Sequence, residues 1–204
     1  MKKYFFYALI AIVLFGCYFF FAKKLEVTQT ESKKDAIVLK THSDKFNQSI
    51  NQLVDVYLNI KDAFVEGDTI SIKSKTNQFC SLLDSLNLSE LEKDSSGVYE
   101  TVNMTKSDIL ANANSLLQQK DITEMRRDFS ALTDVMYPTF FNAIKYEGPA
   151  LYLQNCPMAF NDTEPANWIS NNKEIVNPYL GKNHPKYQAG MLHCGDIKDT
   201  IKSK

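Results

Sequence analysis

Glycine and proline are scarce, 7 and 6 among 204 residues, too few for a collagen-like, low-complexity or many-bladed β architecture. No stretch repeats at a fixed period, so solenoids and propellers are excluded as well. Histidine is rarer still, three in the chain, and none stands in the Glu-x-x-His pairing that holds two irons inside a helical bundle. There is no G-x-S-x-G, P-loop, H-E-x-x-H or Rossmann fingerprint. The one histidine beside a cysteine, His193, is the sequence neighbour of Cys194 and badly placed to serve as its base. No catalytic residue is assigned, and the expectation is a protein that is not an enzyme. Basic excess is missing too. Four of the 23 Lys/Arg flank the first apolar run, which leaves 19 against 24 Asp/Glu in the remainder and speaks against nucleic acid as a partner.

What remains is an ordinary globular composition, 44% hydrophobic and 23% charged, sized for one domain or at most two. Residues 4 to 22 are apolar or small and carry no charge between Lys2-Lys3 and Lys23-Lys24. As a helix, that length spans a bilayer core of about 30 Å. Two readings stay open for residues 1–24. One is an uncleaved signal anchor; the other is a lipoprotein signal in which Leu14-Phe15-Gly16-Cys17 acts as a lipobox and Cys17 is lipidated. Either places the rest of the chain on a membrane surface outside the cytoplasm. Residues 25–42 are mostly polar and read as a tether.

From Phe46 the apolar residues fall at Ile50, Leu53, Tyr57, Ile60 and Phe64, one face of an α-helix. Gly67-Asp68 should stop that helix and cap the next, whose stripe is Ile72, Thr76, Phe79, Leu83 and Leu86, with Cys80 beside the seam. Ser89 and Glu92 have capping-box spacing and predict a helix start there, with Gly97 as an interruption. A third stripe runs Val98, Val102, Thr105, Ile109, Ala113, Leu116. A fourth, capped by Asp121 and Glu124, runs Ile122, Met125, Phe129, Leu132, Met136, Phe140, and Pro138 should bend it near its end. The expected fold class is therefore mainly α: an N-terminal membrane helix, an antiparallel four-helix bundle over 43–148, and a loop-rich segment 149–204 with short strands packed on the bundle as part of the same domain.

Residues 150 to 204 of that last segment hold four of the six prolines and two of the three histidines. Ala150 to Asn155 predicts a short strand, Asn177-Pro178 and Gly181 are turn signals, and Trp168, Tyr152, Ile175 and Tyr179 are the expected contacts with the bundle. Two sulfur pairs stand out, Cys156-Pro157-Met158 and Met191-Leu192-His193-Cys194. Extended chain puts i and i+2 on one side, and a tight turn brings i and i+3 together. If both pairs meet, Cys156, Met158, Met191 and Cys194 offer two thiolates and two thioethers with the His193 imidazole adjacent. Such a donor set selects Cu(I), and its thiolates also suit zinc. The same two cysteines in an oxidising compartment make a disulfide closing a loop of 37 intervening residues, worth about 3 to 4 kcal/mol by loop entropy.

Leu151-Tyr152, Cys156-Pro157-Met158-Ala159, Trp168-Ile169-Ser170, Ile175-Val176-Asn177-Pro178-Tyr179 and Met191 with Cys194-Gly195 together resemble a bacterial family of unknown function. That family occurs as small membrane-anchored proteins and fused to the periplasmic adaptor subunits of copper and silver efflux pumps. Tyr57 to Ala63 and Arg126 to Leu132 resemble it in the helical half, so the likeness spans roughly residues 46 to 201. It implies heavy-metal handling in the cell envelope, efflux components as partners, and Cys156, Met158, Met191 and Cys194 as ligands. This chain departs from the family pattern in the longer stretch Lys182 to Gly190, whose His184 either adds a ligand or belongs to a surface excursion.

Overall fold

The computed structural model describes residues 41–202. The expected anchor, Cys17 and the tether up to residue 40 lie outside the described residues. Among those described, no helix is long and apolar enough to cross a membrane.

Four helices are built where the 3.6-residue periodicity places them: α1 Asp44–Glu66, α2 Thr69–Asp84, α3 Val98–Gln118 and α4 Ile122–Val135. Their ends follow from side-chain chemistry. Ser43 accepts the Phe46 N–H at 3.2 Å to open α1, and Gly67 closes it at φ +72°, its N–H reaching Ala63 and Phe64 carbonyls. Asp68 then accepts the Ile70 and Ser71 N–H groups, both at 3.0 Å, and Asp121 does the same for Thr123 and Glu124 at α4. Consecutive helices pack on one another, and every residue of the first stripe is buried.

The start predicted at Ser89 does not occur. Leu91–Lys93 forms only a 3-10 turn, and α3 begins at Val98 behind Gly97, whose φ of +83° makes it the boundary rather than an interruption. Asp94 explains the delay: its carboxylate takes the Ser96 N–H at 2.9 Å and so bends the chain before a helix can run. Pro138 acts as expected. The chain leaves α4 through an irregular turn, Met136–Phe140, in which Tyr137 is extended at φ −126°, ψ 131°.

The C-terminal third is more ordered than its composition suggests. Strands β1 Leu151–Phe160, β2 Glu164–Ser170 and β3 Asp196–Ile201 form one antiparallel sheet in the order β2-β1-β3. The predicted strand over 150–155 thus continues through the cysteine block. Asn161 and Asp162, at φ +51° and +61°, make the tight β1–β2 hairpin, a conformation these two side chains tolerate well. Between the pairs Cys156↔Ala166 and Phe160↔Glu164 the register shifts, and three residues of β1 stand against the single Pro165 of β2. Pro157 and Pro165 both lack an N–H, so the ladder has nothing to donate there and bulges.

One hydroxyl chain ties the sheet to the helices. Tyr57 accepts the Ile169 N–H of edge strand β2 at 3.1 Å and meets the Thr133 hydroxyl at 2.6 Å, which donates to the Phe129 carbonyl at 2.9 Å. Around it Tyr57, Phe64 and Tyr179 all stack or tilt against Phe129, and Trp168 and Phe160 meet Tyr179 edge-on. Each of these buried rings contributes about 1.5 to 3 kcal/mol of hydrophobic stabilisation. Trp168 and Tyr179 are therefore the contacts expected of them. Tyr152 instead lies half-buried under the Lys173 ammonium, 5.8 Å from its ring centre. His42, assigned to the tether by composition, is part of the folded body: its ring nitrogens meet a Glu90 carboxylate oxygen at 2.8 Å and the Ile144 carbonyl at 2.5 Å.

Candidate functional site

The two cysteines, 38 positions apart in sequence, meet in space, with Cys156 Sγ 3.0 Å from Cys194 Sγ. Strand pairing brings them there. β1 runs Asn155-Cys156 against Asp196, so the residues just before β3 turn back over the cysteine that follows Asn155. Cys156 is fully buried on the face it shares with Gln154, opposite Ala166, while Cys194 is half-buried at the surface. Both are free thiols, one S–H pointing at the other sulfur.

The Met191–Cys194 segment is the tight turn its spacing predicts, with the Cys194 N–H on the Met191 carbonyl at 3.0 Å and Met191 ending a 3-10 turn, Ala189–Met191. Met158 lies in the β1 bulge. Met158 and Met191 are both half-buried against the core. The bulge removes the strict i, i+2 alternation on which convergence of Cys156 and Met158 was argued, so it is the cysteines that the backbone brings together.

Two residues that spacing alone did not single out position the pair. Gly195 has φ +143°, and a Cβ there would stand 2.7 Å from the Asn155 carbonyl oxygen and 2.9 Å from Cη2 of Trp168. Only glycine lets the turn lie this close to β1. Asn177, fully buried, spends all four of its polar groups on this region. Its Nδ2 donates to the Cys194 carbonyl at 2.8 Å and its N–H to the Leu192 carbonyl at 2.8 Å. Its Oδ1 accepts the Tyr179 and Leu180 N–H groups at 2.8 and 3.1 Å, and its carbonyl accepts the Gly181 N–H at 2.9 Å. The Asn-Pro-Tyr and Cys194-Gly195 blocks of the family likeness were the signals in the sequence that pointed here.

Arg126 of α4 fixes the same turn from the helical side. Its buried guanidinium donates to the Pro178 carbonyl at 3.0 Å and to the Phe64 carbonyl, at the C-terminal end of α1, at 3.3 Å. Burial lowers its pKa to about 10, which leaves it charged at neutral pH and well matched to a helix C-terminus.

The electrostatics keep the Cys194 thiol protonated. Burial pushes the Cys194 thiol up to about 12, with the Cys156 sulfur and the Asp196 carboxylate acting in the same direction. The histidines differ in what they can offer. His193 is exposed and its Nδ1 donates to the Ile175 carbonyl at 2.7 Å, which leaves the Nε2 lone pair free, the arrangement usual for a metal-ligating imidazole. In His184, Nδ1 accepts the Lys186 and Tyr187 N–H groups at 3.2 and 3.3 Å while the ring stacks on Tyr187. That nitrogen is spent inside its own loop, as in a surface excursion. Among the described residues no group of three or more His, Cys, Asp or Glu side chains is placed to hold one ion. The thiol pair would complete a coordination shell with thioethers, water or a donor from another molecule.

Residues 53–145 match a family described as Protein of unknown function (DUF3347). The matched stretch runs from within α1 past the turn after α4, and so ends before the strand that carries Cys156. No curated protein and no solved structure matches the chain.

Proposed function

We propose that the protein is a non-enzymatic, membrane-tethered module of the bacterial cell envelope that binds a soft metal, Cu(I) foremost, through Cys156 and Cys194. The observation that carries this is the approach of two thiols to 3.0 Å on a scaffold that spends a buried asparagine and an otherwise impossible glycine on holding them there. Two thiolates on one tetrahedral ion at ~2.3 Å stand about 3.8 Å apart, a small opening from the observed separation. Met158, Met191 and His193 are the nearest further donors in sequence, and the helices serve as the scaffold. The tether and the envelope location rest on the apolar run of residues 4 to 22, and a role beside heavy-metal efflux components rests on the family resemblance of the cysteine and Asn-Pro-Tyr blocks.

The test is competition for Cu(I) between the full-length, reduced protein in detergent and a chromogenic chelator. The wild type should retain the ion, and Cys156→Ser and Cys194→Ser should release it. Equal retention by all three disproves the reading. A second reading, an envelope interaction module with a structural Cys156–Cys194 disulfide and no metal, is favoured by the same 3.0 Å, since a disulfide needs an approach to about 2.0 Å. Mapping the cysteines of protein isolated from cells under non-reducing conditions separates the two.

A further inference from the structure

Resting on the dithiol site proposed above, we infer that Cys156 and Cys194 alternate between an ion-holding dithiol and a disulfide, and that a thiol–disulfide exchange partner enters through Cys194 with Cys156 as the resolving thiol. Access decides the order. Cys156 has no exposed surface, sealed on its own face of the sheet, whereas Cys194 sits half-open on a surface turn. An incoming disulfide must approach in line with the sulfur it meets, and only the Cys194 sulfur can be met from solvent.

The step balances without any group beyond the partner. Cys194 loses its proton and attacks one sulfur of the partner's disulfide, whose S–S bond breaks and releases one partner thiolate, which takes up a proton. Cys156, already 3.0 Å away, then loses its proton and attacks the Cys194 sulfur. The mixed disulfide breaks, the second partner thiolate leaves and is protonated, and a Cys156–Cys194 bond remains. Two electrons and two protons have passed to the partner; a dithiol reductant runs the sequence backwards. The oxidised pair has no thiolate to give, so an ion and the disulfide exclude each other.

The probe is oxidised glutathione with the full-length protein in detergent, quenched in acid at intervals and mapped by peptide mass spectrometry, which also separates Cys80 and Cys17. In the wild type, the first adduct should appear on Cys194 and give way to the Cys156–Cys194 disulfide. Cys156→Ser should accumulate glutathione on Cys194. In Cys194→Ser, Cys156 should react ~10-fold or more slowly, as sealed thiols do. Because the early adduct is read in the wild type, the test stands even if a variant folds poorly. Adduct forming on Cys156 as fast as on Cys194, or a pair that stays reduced at every glutathione ratio, overturns the inference. The metal reading fails separately: a reduced protein that releases Cu(I) to the chelator, yet exchanges in the stated order, sinks the ion and leaves the exchange.

Discussion

The side-chain amide of Asn177 donates to the carbonyl of Cys194 across 17 positions, at 2.8 Å and with Asn177 fully buried. That single bond joins the turn after the sheet's second strand to the turn that carries the Cys194 sulfur. Asn177→Ala removes the donor to the Cys194 carbonyl and orphans the Tyr179 and Leu180 N–H groups, while the backbone bond to Leu192 stays, a loss of about 1 to 3 kcal/mol. Thermal unfolding of the reduced protein measures it. Asn177→Asp keeps the acceptor but sets a carboxylate against the Cys194 carbonyl, so it should fall near the alanine variant rather than near wild type.

Gly195→Ala places a methyl 2.7 Å from the Asn155 carbonyl oxygen. Relief requires the turn to lift off β1, at a cost of about 1 to 3 kcal/mol. The sulfurs should separate with it. Slower formation of the Cys156–Cys194 disulfide by oxidised glutathione, measured against wild type at equal temperature, is the expected outcome; an unchanged rate shows that the close approach of this turn does not set the sulfur spacing.

Tyr57→Phe removes the acceptor of the Ile169 N–H and the partner of the Thr133 hydroxyl in one step. The edge strand then carries a buried, unpaired donor, for a destabilisation of about 1 to 3 kcal/mol. Hydrogen exchange at Ile169 should accelerate more than exchange at the centre of α3.

Alkaline pH should unfold the protein for a definable reason. Burial raises the hydroxyls of Tyr57 and Tyr179 well above the ordinary tyrosine value of 10.0 and pushes Tyr146 up to about 12. A raised acid pKa in the fold means that the unfolded chain gives up its proton first. The stability these groups contribute is therefore whole below pH 10 and is lost as pH rises towards and beyond 12. A titration followed by circular dichroism should show this loss, with a transition displaced upward in Tyr146→Phe.

Exchange at the sulfur pair carries its own pH signature. With the Cys194 thiol pushed up to about 12, its thiolate is scarce at neutral pH, and the initial rate with oxidised glutathione should climb about tenfold per pH unit from pH 6 to 9. A plateau below pH 9 would show a thiol more acidic than this site allows. Trp168, the one tryptophan in the chain, lies against Gly195 and supplies the fluorescence readout.

The helices were legible because each carries an unbroken stripe at helical spacing and a capping side chain of the right kind, as at Asp68 and Asp121. Ser89 and Glu92 misled because a cap motif says nothing about competing local bonds, and Asp94 bends the chain on its own terms. β2 and β3 were harder to see. Glu164–Ser170 contains a proline, and Asp196–Ile201 is an edge strand exposed along most of its length, so neither shows clean alternation. Turn geometry near each cysteine spoke only to its own neighbour, and the meeting of Cys156 with Cys194 entered the sequence reading as a premise; it comes from the pairing of β1 with β3, which joins residues far apart in the chain. The roles of Asn177 and Arg126 were not legible, because their bonds run to carbonyls far away in sequence, and a carbonyl leaves no trace in residue identity.

The central position of β1 between a hairpin neighbour and a strand that arrives much later has a consequence for biosynthesis. Cys156 leaves the ribosome 38 residues ahead of its partner, and until β3 is made and docks, the only earlier thiol among the described residues is Cys80. In the extracytoplasmic location proposed above, the nascent chain would pass through an interval in which, among the described residues, the wrong pairing is the one on offer. Under that proposal, correct sulfur chemistry would depend on the last strand arriving before an oxidant does.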